Sequence, residues 1–175
     1  MSSLNSHTLQ RLTAVRRDIH AHPELAFQEI RTADLIADYL RDIDVEVHTG
    51  IGGTGVVGVI GDRTRGPVIG LRADMDALPI QETSGRAHAS VEPGVMHACG
   101  HDGHVAMLLG AAEILSKTIN LTGSVALVFQ PAEEGAAGAV AMLDDGVIER
   151  FGIEEIYGVH NIPGIPAGHF AVRPG

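Results

Sequence analysis

Several residue types are scarce in this chain of 175 residues, and each scarcity excludes some classes of protein. A single cysteine excludes an internal disulfide and fits a reducing compartment, so we expect a cytoplasmic protein. The absence of tryptophan and an aromatic content of 3% indicate an aliphatic core. Twelve basic against 22 acidic residues give a net charge of −10, which argues against nucleic acid or an anionic membrane as partner. No segment approaches the roughly 18 apolar residues of a membrane span.

The apolar residues, 45% of the chain, form an alternating pattern of helices and strands. Helical spacing predicts helices over about 9–19, 29–43, 105–117 and 136–143. Apolar or β-rich runs predict strands at 45–48, 56–60, 68–72, 125–130, 155–159 and 169–172, of which 125–130 and 155–159 are expected to be buried. Residues 76–95 are predicted to form a long functional loop. This order is typical of an α/β layer fold with a mixed, largely parallel sheet.

The only cysteine lies in a nine-residue segment, MHACGHDGH, that also holds three of the ten histidines. Cys99 and His101 could bind one transition metal. Taken singly, a cysteine is more often a small buried core residue, and a histidine is more often a capping or surface residue. Glu133 and Glu134 follow one predicted strand, and His160 follows another. Because ligand sites of open α/β sheets collect at the carboxyl ends of strands, these donors are expected to converge on a metal centre.

The two adjacent glutamates repel each other unless a cation lies between them or one of them is protonated. A division of roles removes the conflict, since one glutamate can bind metal while its neighbour takes a proton from an activated water. The alternative is a solvated pair at a helix start, where carboxylates favour the positive end of the dipole.

Further polar side chains near these donors are candidates for supporting or substrate-side roles. Asp74 and Asp76 end a predicted strand, and their spacing points both side chains to the same face if the strand pattern continues. Metal ligation is possible for them, but support of a ligand histidine is at least as natural for a carboxylate. His97, Asp102 and His104 surround the cysteine and its neighbouring histidine, and for these three a supporting or substrate-side role is kept open beside direct ligation.

Two other patterns have simpler explanations. The segment Gly50–Gly55 satisfies G-x-G-x-x-G, but a β-like run follows it where a dinucleotide site needs a helix, so a turn between strands is predicted. His20 and His22 could line the same cleft or only cap the first helix.

Taken in order, five segments resemble the M20 metallopeptidases, in the amidohydrolase branch of hippurate hydrolases, N-acyl-amino-acid amidohydrolases and auxin-conjugate hydrolases. The segments are 17–25, 71–79, 96–104, 129–135 and 158–161, and HACGHD and QPAEEG are specific to that branch. The resemblance spans nearly the whole chain.

The resemblance implies a three-layer, zinc-peptidase-like catalytic domain with two divalent metal ions, Zn or Mn. Cys99, His101, Glu134 and His160 match its metal-ligand positions, and Glu133 matches its general base. The base would activate a water bridging the metals for attack on the amide of an N-acyl amino acid such as hippurate, and would then pass the proton to the leaving amine.

The resemblance also implies that residues 1–175 form the N-terminal portion of the catalytic domain. Family members continue into a lid and dimerisation domain, through which a full-length homodimer could form, and then into a C-terminal catalytic segment with one more ligand histidine. With both parts absent, the alternative to an active amidohydrolase is a truncated metal-binding fragment without turnover. A third possibility is a structural domain that holds no metal.

Overall fold

The computed structural model describes residues 4–118 and 121–172, which form five helices and five strands. The helices are α1 (Ser6–Ala21), α2 (Ile30–Asp42), α3 (His101–Leu115), α4 (Gly138–Asp144) and α5 (Val147–Phe151). The strands are β1 (Glu46–Ile51), β2 (Gly55–Gly61), β3 (Val68–Asp74), β4 (Ser124–Gln130) and β5 (Ile153–Gly158). None of the helices in this described part is both long and apolar enough to cross a bilayer.

One mixed sheet in the order β1-β2-β4-β3-β5 forms the centre of the molecule. β1 pairs antiparallel with β2 and β2 antiparallel with β4, whereas β3 runs parallel to both β4 and β5. The predicted α/β class and mixed sheet are confirmed, with the parallel pairs confined to β4, β3 and β5. These three strands therefore end at the same edge of the sheet.

The two faces of the sheet carry separate aliphatic cores, because side chains alternate along each strand. On β2, Val56 and Ile60 join the core formed with α1, α2 and α3. Val57 and Val59 point to the other side, into the core shared with α4 and α5. The layers are thus helices, sheet and helices, with the larger core on the side of the three long helices.

Helix α3 begins earlier than the periodicity predicts. The apolar pattern starts at Val105, but the helix starts at His101, directly after Gly100, whose left-handed φ of 86° turns the chain into it. This start places His101 and His104 in the first turn of α3. The histidines are therefore held by a helix, and Cys99 lies two residues before its first residue.

Two expectations about the second half of the chain are wrong, and one helix was not predicted. The strand expected at 155–159 forms as β5, but five of its six residues are exposed rather than buried. They are exposed because β5 lies at the edge of the sheet. An apolar run in the sequence does not show whether another element covers the strand. Residues 169–172 form no strand, and His169 instead donates its amide to Pro166 in a turn. The five-residue helix α5 was not anticipated, because it is too short for a periodic signal.

Candidate metal centre

The polar side chains expected to converge do so at the carboxyl edge of β4, β3 and β5. Two groups of possible donors lie with their ligand atoms within 4.8 Å of one another. The first group contains Cys99, His101 and Glu134. The second contains Asp74, His101, His104 and His160. His101 belongs to both groups and lies at the centre of the site.

His101 is fully buried, and one of its ring nitrogens is committed to Asp76. Its Nδ1 lies 2.8 Å from the Asp76 carbonyl oxygen and 3.2 Å from Oδ1 of the same residue. Because a carbonyl oxygen only accepts, Nδ1 carries the hydrogen and Nε2 presents its lone pair. Within the described residues this Nε2 has no hydrogen-bond partner, and its neighbours are Asp74 Oδ2 at 3.7 Å and Glu134 Oε1 at 3.9 Å.

The charge around His101 favours a cation. Burial lowers the pKa of this imidazole, but the hydrogen bond with Asp76 and the nearby charge of Asp74 outweigh burial and raise it. A proton and a metal ion compete for the same lone pair on Nε2. The arrangement that attracts a proton to this atom therefore attracts a divalent cation as well.

Cys99 and His160 bring a thiol and a second imidazole to the same place. Cys99 Sγ lies 3.4 Å from His160 Nε2, while His160 Nδ1 lies 2.7 Å from the carbonyl oxygen of Asn161. Burial, together with the hydrogen bond and charge of Glu134, raises the pKa of the Cys99 thiol to about 11. A thiolate in this acidic surrounding needs a cation beside it.

Asp74 and His104 form a buried pair next to these donors. His104 Nδ1 lies 2.6 Å from Asp74 Oδ1, and Arg72 Nη1 lies 2.7 Å from Asp74 Oδ2. Burial alone would raise the pKa of Asp74, but the hydrogen bond with His104 and the charges of His101 and Arg72 hold it at about 2. Asp74 is thus a carboxylate already committed to two partners, which is the arrangement of a supporting group.

The two adjacent glutamates have different surroundings. Glu134 is half-buried, and its backbone amide donates to Asp76 Oδ2 over 2.9 Å. Glu133 is exposed at the same turn. Asp76 therefore orients both His101 and the turn that carries Glu133 and Glu134. Burial raises the pKa of Asp76, but its hydrogen bonds with His101 and with the backbone of the turn, together with the charge of His101, lower this pKa overall.

His97 and Asp102 belong to neither donor group. Asp102 faces α1, where its Oδ2 accepts from Arg16 Nε at 3.1 Å and lies 3.0 Å from His20 Nδ1. His97 is buried nearby, and burial lowers its pKa to about 4. His20 Nε2 also lies 3.3 Å from Glu82 Oε1. His20 therefore contacts Asp102 and Glu82 and not the possible metal donors.

Two residues at the site, Arg72 and Asn161, have no role in the sequence-based prediction. Arg72 precedes Asp74 by two residues in a predicted strand. Side chains two positions apart in a strand point to the same face, so this spacing could have indicated that the two side chains are neighbours. Asn161 follows His160, and its backbone amide donates to His104 Nε2 over 3.1 Å. His22, by contrast, caps α1, with Nδ1 at 2.9 Å from the Asp18 carbonyl oxygen.

Comparison with known proteins adds an independent finding. A family model described as peptidase family M20/M25/M40 matches residues 70–175. The hippurate hydrolase of Campylobacter jejuni is 50% identical over 149 residues, which are 85% of this chain and 39% of that protein. An N-acetylcysteine deacetylase of Bacillus subtilis is 46% identical over 167 residues, 94% of this chain and 43% of the relative.

A solved structure matches the fold closely. The Bacillus subtilis YXEP protein, described as a dinuclear metal-binding peptidase of the M20 family, superposes with a TM-score of 0.92 at 44% identity. The match covers 98% of this chain and 48% of that one. The present chain spans about two fifths of the length of the curated relatives cited above.

Proposed function

Because the chain belongs to peptidase family M20/M25/M40, we propose that it carries the metal-binding and base residues of a metal-dependent amidohydrolase acting on N-acyl amino acids. Hippurate and N-acetylcysteine, the compounds named in two relatives, are both N-acyl amino acids. In keeping with the shared length, we assign residues 1–175 to the N-terminal portion of a catalytic domain.

The observation that carries the proposal is the buried Nε2 of His101, which has no partner among the described residues and is surrounded by other donors. We assign metal ligation to Cys99, His101, Glu134 and His160. Two overlapping donor groups, together with the dinuclear relative, support two divalent ions. Thiolate and imidazole donors suit zinc, and a carboxylate also suits manganese.

A divalent ion bound here supplies Lewis acidity, which polarises a carbonyl and acidifies water. Glu133 is exposed beside the ligand Glu134, so its carboxylate is free to take a proton from the attacking water and return it to the leaving amine. Asp76 keeps His101 oriented with Nε2 toward the site. Asp74 and His104 are joined by their own hydrogen bond and lie beside His101 in the second donor group.

A second candidate, metal binding without turnover, is favoured by the openness of the site. Glu133 and His160 are both exposed, and the chain spans about two fifths of the curated relatives cited. Exclusion of water and orientation of substrate contribute much of an enzyme's rate. Turnover of hippurate or N-acetylcysteine with added Zn or Mn separates the two candidates.

The neighbouring glutamates provide the sharpest test of the assignment. Glu134→Gln should lose metal, because a neutral amide is a poorer ligand than a carboxylate, whereas Glu133→Gln should retain it. If the chain turns over substrate, Glu133→Gln should reduce kcat by about 10²- to 10⁴-fold. Metal content after gel filtration and amide hydrolysis are measured for both variants.

Glu154→Gln is the matched control, since Glu154 is exposed on β5 and outside both donor groups. It should change neither metal content nor turnover. Equal metal content in Glu134→Gln and the unmodified chain would refute the ligand assignment. Unimpaired hydrolysis by Glu133→Gln would refute the role of the base.

A further inference from the structure

The turn that carries Glu133 and Glu134, called the glutamate turn below, begins at Ala132, whose backbone conformation is unfavourable. Ala132 has a φ of 51° and is completely buried. For a residue with a Cβ, the left-handed region is disfavoured because the Cβ crowds the following carbonyl oxygen. Such a conformation persists only where surrounding contacts hold it. What holds Ala132 therefore determines where Glu133 and Glu134 lie.

The amide of Ala132 is held by the side chain of Glu29, at the start of α2, while the carbonyl oxygen of Ala132 accepts the Gly138 amide hydrogen over 2.9 Å. Glu29 is fully buried, and its Oε1 accepts the Ala132 amide hydrogen over 2.8 Å. The two residues are 103 positions apart in the chain. Its second oxygen, Oε2, accepts the hydroxyl of Thr54 over 2.6 Å. Both oxygens of a buried carboxyl group are thus used, one of them on the backbone of the glutamate turn.

Thr54 comes from the glycine-rich segment that resembles a dinucleotide motif. In the structure this segment is the β1–β2 turn, as predicted, and it packs against the other end of the glutamate turn. A Cβ on Gly55 would lie 3.2 Å from Pro131 Cδ, and the Gly52 amide donates to Asp145 beyond α4 over 3.0 Å. The glycines allow this close approach, which brings the Thr54 hydroxyl to Glu29.

We propose that Glu29 is a positioning residue, which holds the amide of Ala132 and thereby sets the placement of Glu133 and Glu134. The inference rests on the proposed function, because it assigns a purpose to the placement of those two carboxylates. Asp76 holds the same turn from the other side, through the Glu134 amide. The glycine-rich turn then has a role that involves no nucleotide: it secures Glu29 through Thr54.

Glu29→Ala tests the proposal, with Glu24→Ala as the matched control. Glu24 also caps the start of α2, where its carboxyl oxygens accept from the amides of Arg31 and Thr32 over 3.0 and 2.8 Å, and those bonds do not involve the glutamate turn. Both variants should unfold more easily. Only Glu29→Ala should disturb the turn.

Two measurements read the turn directly. Amide hydrogen exchange followed by NMR should accelerate at least about tenfold at Ala132 in Glu29→Ala and stay unchanged there in Glu24→Ala. Cobalt(II) titration, read by its absorption spectrum, should show affinity reduced about 10- to 100-fold, the range for a lost supporting contact. Glu29→Gln should restore both, since its amide can accept from Ala132 and donate to Thr54.

Should Glu29→Ala fail to fold, Thr54→Val removes only the hydroxyl and should change both measurements in the same direction by a smaller factor. Unchanged exchange at Ala132 in the folded variants would overturn the inference, and so would faster exchange with unaltered cobalt affinity. An unmodified chain that binds no cobalt would instead refute the proposed metal centre. In that case exchange at Ala132 still decides whether Glu29 holds the turn.

Discussion

At the scale of single residues, the three histidines of the site share one arrangement. Each presents Nδ1 to an oxygen that can accept its hydrogen. Nε2 of His101 and of His160 then faces the other donors, whereas Nε2 of His104 accepts the Asn161 amide hydrogen. The partners of Nδ1 are the Asp76 carbonyl for His101, the Asp74 carboxylate for His104 and the Asn161 carbonyl for His160. Such contacts select the tautomer and ring orientation that a metal ion requires.

As a proposed metal ligand, the thiol of Cys99 should make metal affinity depend on pH. Without metal its pKa is raised to about 11, so near neutral pH each binding event must release the thiol proton. Affinity for zinc should therefore rise with pH, by about tenfold per unit for this one proton. Competition with a zinc indicator at several pH values measures the slope.

In Cys99→Ser, zinc binding should weaken, and the slope should fall by about one proton, because a serine hydroxyl is not deprotonated as readily as a thiol. Protonation of His101, whose pKa is also raised, would add to the slope of both proteins at low pH. An identical slope in the variant and the unmodified chain would show that Cys99 does not bind the ion.

At the scale of elements, a buried charged group joins α1, α2 and α3. Glu113 of α3 accepts from Tyr39 of α2 over 3.2 Å and from Lys117 over 2.5 Å. Arg11 of α1 lies 3.8 Å above the Tyr39 ring. Burial raises the pKa of Tyr39 to about 12, reinforced by the charge of Glu113. The contact between the helices is therefore polar at this point.

Glu113 should make stability depend on pH in the acid range. Burial raises its pKa, but the hydrogen bond and charge of Lys117, with Tyr39 and Arg11, lower it overall. A lowered folded-state pKa adds stability above the unfolded pKa of about 4.3, and this contribution is lost as pH falls through the folded value. Glu113→Gln should thus cost about 1–3 kcal/mol at pH 7, and the difference should shrink below about pH 4.

Urea unfolding at both pH values measures this difference. Asp38→Asn is the control, since Asp38 pairs with Arg41 at the surface, where an ion pair contributes at most about 1 kcal/mol. A Glu113→Gln penalty that persists undiminished in acid would show that packing, rather than the charge of Glu113, supplies the stability.

The β1–β2 turn should be intolerant of a side chain at Gly52. Its φ is +61°, and a Cβ there would lie 2.6 Å from the Met142 backbone nitrogen in α4. Gly52→Ala should cost roughly 1 kcal/mol for the left-handed backbone and roughly 1–3 kcal/mol more for the overlap. Denaturant unfolding gives the free energy.

Gly85→Ala isolates the backbone contribution, because Gly85 has a φ of +65° and nothing within 4 Å of its added Cβ. The variant should lose only the smaller amount. Equal losses at the two positions would mean that α4 can move aside from the turn at little cost.

At the scale of the whole molecule, the sheet ends in an exposed edge. Among the described residues β5 pairs only with β3, and Tyr157 on β5 is 57% exposed. An unpaired edge with exposed apolar side chains promotes association between chains. We therefore expect the 175-residue chain to self-associate as its concentration is raised, despite its net charge of −10.

Tyr157→Lys should shift this association to higher concentration, as sedimentation velocity can measure. Ile30→Lys is the control, since Ile30 is 65% exposed at the start of α2, away from the sheet edge. Association that is unaffected by Tyr157→Lys, or abolished equally by Ile30→Lys, would place the contact elsewhere.

Most of the longer elements, and the donors that follow them, were predictable from the order of the amino acids alone. Hydrophobic periodicity is a local property, so β4 and the helices containing Leu12, Ile36 and Leu108 were predictable from the chain alone. The same holds for the order of Cys99 and the other donors along the chain. The carboxyl ends of parallel strands share one edge, and this general rule predicts that those donors lie close together.

Which groups face one another across the fold depends on the packing of the layers and is visible only in the folded structure. It shows β5 exposed, turns Asp102 toward α1 instead of the donors, and joins Glu29 to Ala132. It also commits Nδ1 of His101 to Asp76. These contacts join residues far apart in the chain and depend on how the layers pack, and local periodicity carries no information about such distances.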